Sequence, residues 1–204
     1  MKRRDKIIEK AVELFNKKGV AKVTTNHIAK AMEISPGNLY YHFSSKEDII
    51  RSIFDLISDE FDNYWDIKPE KDISTFLPEM ITKLMNNHLK YSFFYNDLSQ
   101  ILENDSKLKS AYNQLRRQRQ DELKNMFLTL TERGIFEEKI QDDVEQLVER
   151  IWFITEFWIT FKKTQDSKIT EAVITEAIDF MFNILSLYYT KKGRTLQKQI
   201  LEEL

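Results

Sequence analysis

Thr24-Thr25-Asn26-His27-Ile28-Ala29-Lys30-Ala31-Met32, then Glu33-Ile34-Ser35, then Pro36-Gly37-Asn38-Leu39-Tyr40-Tyr41-His42-Phe43 is the stretch that decides how this chain is read. It predicts two short helices, over 25–32 and 36–42, joined by a tight turn. Thr24 precedes the first helix, where a hydroxyl accepts one of the unpaired backbone N–H groups. Ser35 does the same for the second, and Pro36 occupies the first helical position, where a missing N–H does no harm. Ile28, Ala29 and Met32 form the inward side of the first helix, and Leu39 and Phe43, four apart, that of the second. Ala29 is small where the helices cross, and Ile34 fills the space between them.

This is helix-turn-helix spacing. A short helix held at an angle by its partner enters the major groove, about 12 Å wide, with its early residues at the base edges. The outward set is Pro36, Gly37, Asn38, Tyr40, Tyr41 and His42. Gly37 permits close backbone approach to DNA. Asn38 suits an adenine edge, and tyrosine hydroxyls reach phosphates or bases. The alternative for either tyrosine is packing through its ring.

Upstream, Ile7, Ile8, Ala11, Val12, Leu14 and Phe15 recur at helical spacing and predict a helix over 3–18, stopped by Gly19. Its start is basic, with Lys2, Arg3, Arg4, Lys6 and Lys10 on a solvated face. Lys2, Arg3 and Arg4 have the alternative of forming an arm on phosphates. Downstream, Ser44-x-x-Glu47 reads as a capping box. The helix it opens, over 46–66, carries Ile49, Ile50, Ile53, Phe54, Ile57, Phe61, Tyr64 and Trp65 and ends before Pro69. A domain boundary near residue 50, inside this helix, gives a DNA-binding head (1–50) and a regulatory and dimerisation body (51–204).

Taken together, Thr24-Thr25-x-x-Ile28-Ala29, Ile34-Ser35-x-Gly37-x-Leu39-Tyr40-x-His42-Phe43 and Lys46, with Leu14-Phe15 and Gly19 before them, resemble the DNA-binding domain of the TetR/AcrR family of bacterial transcriptional regulators. The resemblance covers residues 3–50. It implies an all-α fold: an N-terminal three-helix helix-turn-helix domain followed by a helical ligand-binding and dimerisation domain. It also implies a homodimer that represses transcription until a small ligand binds the body. Thr25, Tyr40, His42 and Lys46 then correspond to phosphate-holding positions. Asn26, Pro36, Gly37, Asn38 and Tyr41 correspond to positions at or near base edges. Met32-Glu33 departs from the family's common Ala-Gly, and the Glu33 carboxylate is expected to point away from DNA.

In the body, apolar periodicity predicts helices over 72–92, 94–102, 107–133, 142–163 and 170–189, with residues 195–204 as a loosely held helix. Arg116-Arg117-Gln118-Arg119-Gln120 reads as a solvated face. Ten aromatics lie on helices that would surround one space. Tyr91, Phe94, Tyr95, Tyr112, Phe127, Trp152, Phe153 and Phe157, with Glu156, are the candidate ligand-binding residues, the bland alternative being that they simply fill a core. A buried Glu156 needs a partner: an organic cation among aromatic rings, or, as the favoured structural reading, a Lys or Arg of another helix, unless the carboxylate lies on a wet edge. The apolar excess of the last two long helices predicts a symmetric four-helix contact between two copies. Trp158, Phe161, Ile174, Ile178, Met181, Phe182 and Leu185 are its candidate residues.

Composition bounds the rest. Among 204 residues there are 4 Gly, 3 Pro and no Cys, which favours helix and excludes disulfides, thiolate zinc sites and cysteine nucleophiles. The net charge of −2 conceals a split: residues 1–50 hold 10 Lys/Arg against 6 Asp/Glu, and the remainder 21 against 27. Only the head is therefore suited to meet a polyanion. No phosphate loop, nucleophile–base pair or metal cluster is present, so no enzyme, cofactor or metal site is expected. The start lacks a signal-peptide run and no apolar stretch spans a bilayer, so the expected location is cytoplasmic with no membrane partner. The expected partners are a double-stranded DNA operator, a second copy of the chain and a small apolar or cationic effector. The alternative is a dimeric DNA-binding regulator controlled by a protein partner in place of a small ligand.

Overall fold

The computed structural model of the protein describes residues 2–62 and 72–203. These residues form α1 (Arg3–Lys18), α2 (Thr25–Ala31), α3 (Pro36–His42), α4 (Lys46–Asp62), α5 (Ile73–Lys90), α6 (Ser92–Asn96), α7 (Leu98–Asn104), α8 (Ser106–Glu132), α9 (Ile140–Lys163), α10 (Glu171–Leu185) and α11 (Lys191–Glu203). The fold is all-α, and an isolated bridge between Phe136 and Tyr189 is the only extended pairing among the described residues.

The head forms for the reasons its sequence suggests. Gly19 ends α1 at φ +79°, and its N–H reaches the Phe15 carbonyl at 2.8 Å. Thr24 Oγ1 accepts from His27 N–H at 3.3 Å and Ser35 Oγ from Asn38 N–H at 3.2 Å, capping α2 and α3. Ile7, Phe15, Ile28, Leu39 and Phe43 are buried together. Glu33 stands at φ +54° in the turn, the left-handed region that costs a residue with a Cβ about 1 kcal/mol or more. This explains why a glycine is common there, and Glu33 itself is exposed.

The capping of α4 departs from expectation. Ser45 Oγ, not Ser44, accepts from the helix, taking Asp48 N–H at 3.2 Å. Asp48, not Glu47, reaches back, its carboxylate accepting from Ser44 N–H at 2.9 Å. With Lys46 as the first helical residue the cap position falls on Ser45, one place later than the Ser44-x-x-Glu47 spacing suggested. Tyr64, Trp65 and Pro69, and the end of this helix expected at 66, lie outside the described residues.

The body differs from expectation at several places; the helix expected over 170–189, for one, stops at Leu185. The single helix expected over 94–102 is two, α6 and α7, broken at Asp97. The Asp97 carboxylate turns away to accept Val20 N–H of the head at 2.8 Å. Arg119 is not on a solvated face: it is 3% exposed and paired with Asp62 and Glu122. The C-terminal helix α11 is seated, with Leu196 and Ile200 buried. Gly193 is what permits this, since a Cβ there would stand 2.2 Å from the Ile135 carbonyl oxygen.

Two apolar clusters result. One runs without a break from the head through α4 into α6, α7, α9 and α10; the other joins α5, α8, the start of α9 and α11. Among the described residues no helix is long and apolar enough to cross a membrane.

Candidate DNA-reading face and internal cavity

The outer side of α3 is open. Pro36, Gly37, Asn38, Tyr40 and Tyr41 are exposed, Tyr41 at 86%, while Leu39 beneath them is fully buried. An added Cβ at Gly37 would meet nothing nearer than Ser35 Oγ at 4.0 Å, so the space in front of it is free for a ligand's approach. Thr25 Oγ1 and the Tyr40 hydroxyl lie 3.1 Å apart. That contact brings the start of α2 and the middle of α3 to one point, where both hydroxyls face solvent. Asn26 is exposed beside them, and His42 is half-buried with its ring edge-on to Tyr41 at 5.1 Å.

Lys46 is turned partly inward, its ammonium donating to the Val20 carbonyl at 3.1 Å. An ammonium has three donors, so two stay available to a phosphate. Arg4 is not part of a free arm. Its guanidinium donates to Ser52 Oγ at 2.7 Å and lies over the Phe43 ring at 4.7 Å.

The second feature is an apolar cavity of about 220 Å³ lined by α4, α5, α6, α8, α9, α10 and α11. Six expected residues line it: Phe94, Tyr95, Tyr112, Phe127, Trp152 and Glu156. Three do not. Tyr91 is buried elsewhere and donates to Glu60 at 2.9 Å. Phe153, 63% exposed, and Phe157 lie on the outer side of α9. The helix turns 100° per residue, so 152, 156 and 159 face inward while 153, 157 and 161 form the opposite stripe.

The candidate interface residues are displaced in the complementary way. Trp158, Ile174, Ile178, Met181, Phe182 and Leu185 line the cavity, and Ile174, Ile178 and Leu185 are buried within one chain. Of that set only Phe161 lies on the outer surface. The exposed apolar face consists instead of Phe153, Phe157 and Phe161 on α9 with Phe180 on α10 and Leu187 just beyond it. The Trp158 ring borders both regions, 5.6 Å from Phe180 and 6.0 Å from Phe161.

Glu156 is 5% exposed in the cavity wall and accepts a hydrogen bond from the Tyr112 hydroxyl. Burial pushes its pKa up to about 7, against the opposing effects of Tyr112 and the nearby Arg116 charge. Burial and the neighbouring carboxylate raise the Tyr112 hydroxyl far above its ordinary range. The pair thus presents one hydrogen-bonded polar spot in an apolar wall. Its partner is a tyrosine, where a Lys or Arg of another helix had been expected. His88, Arg116 and Arg119 also line the cavity, unforeseen in sequence. His88 carried a signal, standing four residues after Leu84 on the apolar stripe of α5. It bonds the Leu84 carbonyl at 2.9 Å through Nδ1, and burial depresses its pKa. Among the described residues no group of His, Asp and Glu is arranged to hold a metal.

Known proteins share these features. Residues 7–53 match the family described as bacterial regulatory proteins, tetR family, and residues 60–196 the family described as bacterial transcriptional repressor, TetR. The HTH-type transcriptional regulator QacR of Staphylococcus aureus is 36% identical over 99 residues, 48% of this chain and 46% of that one. The S. aureus negative regulator of the icaADBC biofilm operon, IcaR, is 41% identical over 59 residues, 27% of this chain and 32% of that one. The chain thus matches less than half the length of either relative. A crystal structure of a TetR-family transcriptional regulator from Marinobacter aquaeolei VT8 superposes with a TM-score of 0.87 at 31% identity, covering 100% of this chain and 99% of the other.

Proposed function

The chain belongs to the TetR family of bacterial transcriptional regulators, and from that premise we propose that it is a homodimeric repressor released from a palindromic operator by a small, largely apolar ligand. Family membership makes it a DNA-binding regulator and not an enzyme. The finer reading is supported above all by one observation: an open, polar α3 face and an internal apolar cavity are joined by a single helix, α4.

In this reading Asn26, Pro36, Gly37, Asn38 and Tyr41 meet base edges, and Thr25, Tyr40, His42 and Lys46 hold phosphates. One α3 contacts too few base pairs to specify a site, so two copies on two half-sites are required. The exposed Phe153, Phe157, Phe161, Phe180 and Leu187 supply the face on which the copies meet. Contiguous exposed aromatic surface of this kind is unfavourable in water unless covered. The cavity supports a small effector over control by a protein partner. Its aromatic walls and the Glu156–Tyr112 spot favour an apolar molecule carrying one hydrogen-bonding or cationic group.

The test is selection of bound fragments from genomic DNA. The expected result is an inverted-repeat duplex bound with an affinity that falls steeply with salt and released by a component of cell extract. Recovery of sites without two-fold symmetry would overturn the dimeric reading.

A further inference from the structure

Several polar groups of the cavity wall are already bonded within the chain. The Tyr95 hydroxyl donates to Asn87 Oδ1 at 3.1 Å, Thr155 Oγ1 to the Ile151 carbonyl at 2.9 Å and Trp158 Nε1 to the Val173 carbonyl at 2.8 Å. Arg116 Nε, Arg119 Nε and Trp152 Nε1 differ. They are buried and meet no acceptor in hydrogen-bonding geometry among the described residues, and all three side chains line the cavity. Each of these nitrogens carries an N–H that can only donate. The fold gathers them. α8 and α9 run antiparallel, since Lys124 pairs with Glu145 and, earlier on α8 but later on α9, Tyr112 meets Glu156. Arg116, one turn on from Tyr112, therefore stands level with Trp152, one turn back from Glu156, and Arg119 follows a further turn along the same stripe. Trp152 Nε1 lies near the Tyr112 hydroxyl, and the Arg116 charge acts on both Tyr112 and Glu156. Arg119, 3% exposed, is held by Asp62 and Glu122 through its terminal nitrogens, which leaves its Nε aside.

We infer that this donor-rich end of the cavity receives an oxygen-bearing anionic head group, so that the ligand is an amphipathic carboxylate and not an organic cation. The inference rests on the ligand-binding reading given above and narrows the hydrogen-bonding or cationic group left open there. A buried donor without an acceptor is costly, and an acceptor brought by a ligand makes the missing bond without breaking an existing one. Bonds from a guanidinium to a carboxylate are of the strong, charge-assisted kind. A cation would add a further donor to a wall already in excess of them, and would sit beside the Arg116 charge. The Glu156 carboxyl, which could have met a cation, is turned to the Tyr112 hydroxyl. Phe127, Ile178 and Met181 elsewhere in the wall suit the apolar remainder of such a molecule.

Decanoate, decanol and decyltrimethylammonium share one chain and differ in the head, and so supply the test. Each is titrated against the full chain loaded with N-phenyl-1-naphthylamine, a neutral dye that fluoresces in apolar surroundings. Decanoate is expected to displace the dye at about tenfold lower concentration than either of the others. Trp152→Phe removes one N–H and keeps a ring, and Arg116→Met removes the charge and Nε while keeping much of the stem. Each is expected to cut the preference for decanoate by about threefold or more, with dye binding and displacement by decanol at wild-type values. Dye, decanol and decanoate weakened together in both variants would show a merely structural role and overturn the assignment. Decyltrimethylammonium displacing the dye as readily as decanoate, or a preference unchanged in both variants, also overturns it, while the cavity stands as a ligand site. Wild-type protein that takes up neither the dye nor any of the three overturns the ligand-binding reading and this assignment with it.

Discussion

α3 and α9 each turn one side to the core and the other outward, but the outward sides are opposite in kind. Behind the buried Leu39, α3 presents a glycine, an asparagine and hydroxyl-bearing rings. Behind Ile154, Glu156 and Ile159, α9 presents Phe153, Phe157 and Phe161. The first surface is satisfied by water until a polyanion displaces it, and its contacts are polar and salt-sensitive. The second is unfavourable in water at all times and is stable only when covered. In the proposed reading one face serves reversible contact with DNA and the other lasting contact with a second copy, and operator binding depends on both.

The sharpest way to break this contrast is to place a charge on the permanent face. Phe157→Glu is expected to yield monomers in sedimentation velocity and to lower operator affinity on the order of a hundredfold or more, because a central anchor is lost from the interface. A variant that stays dimeric would return Phe157 to the role of an incidental surface aromatic.

Next in size is the inward side of α9. Glu156 has a folded pKa of about 7 against 4.5 in the unfolded chain. A raised carboxyl pKa means that its contribution is intact below pH 4.5 and is lost as pH rises through 7. Wild-type protein should therefore lose about 3 kcal/mol relative to Glu156→Gln between pH 4.5 and 8. Urea unfolding of both proteins across that range measures it, and parallel curves would show Glu156 to be solvated.

The reversible face comes third. Tyr40→Ala with Lys46→Ala should cost about 2 kcal/mol of operator binding, roughly thirtyfold, and flatten its salt dependence, with the fold retained and thermal stability lowered by about 1 kcal/mol through the lost contacts to Val20 and Thr25. Affinity equal to wild type would remove these two residues from the reading face. The smallest effect lies at the joint between the regions. Ser45→Ala should lower stability by about 1 kcal/mol in thermal unfolding, while Ser44→Ala and Glu47→Ala stay near neutral. The reverse ranking would restore the capping box one residue earlier.

The same contrast governs how much could be read from sequence. On α3 the polar and apolar sides differ chemically, so Leu39 and Phe43 could be placed inside and Asn38 and Tyr41 outside from spacing alone. On the second half of α9 both sides are apolar, and α10 adds Phe180 to the outer one. Hydrophobicity alone does not say which of Ile174 and Phe157 its own chain covers; Ile174 is buried and Phe157 is exposed. Some residues of each group accordingly stand on the other side: Phe153 and Phe157 face out, while Ile174, Ile178 and Leu185 line the cavity. The polar contacts of α4 escaped for another reason. Glu60 meets Asn87 and Asp62 meets Arg119 across 27 and 57 residues of chain, a pairing that helical periodicity cannot express.

The unbroken apolar cluster that runs from Phe15 to Phe93, with ring centroids 5.0 Å apart, has a consequence for how the molecule melts. Asn16 adds hydrogen bonds to the Lys90 carbonyl and Phe93 N–H across the same seam. A reading head tethered by a flexible linker could fray by itself and leave its body folded. Here the head's unfolding would strip buried surface from α6, so the two share one cooperative transition. Calorimetry should record a single heat-absorption peak, and operator binding should persist up to the temperature at which the whole chain gives way.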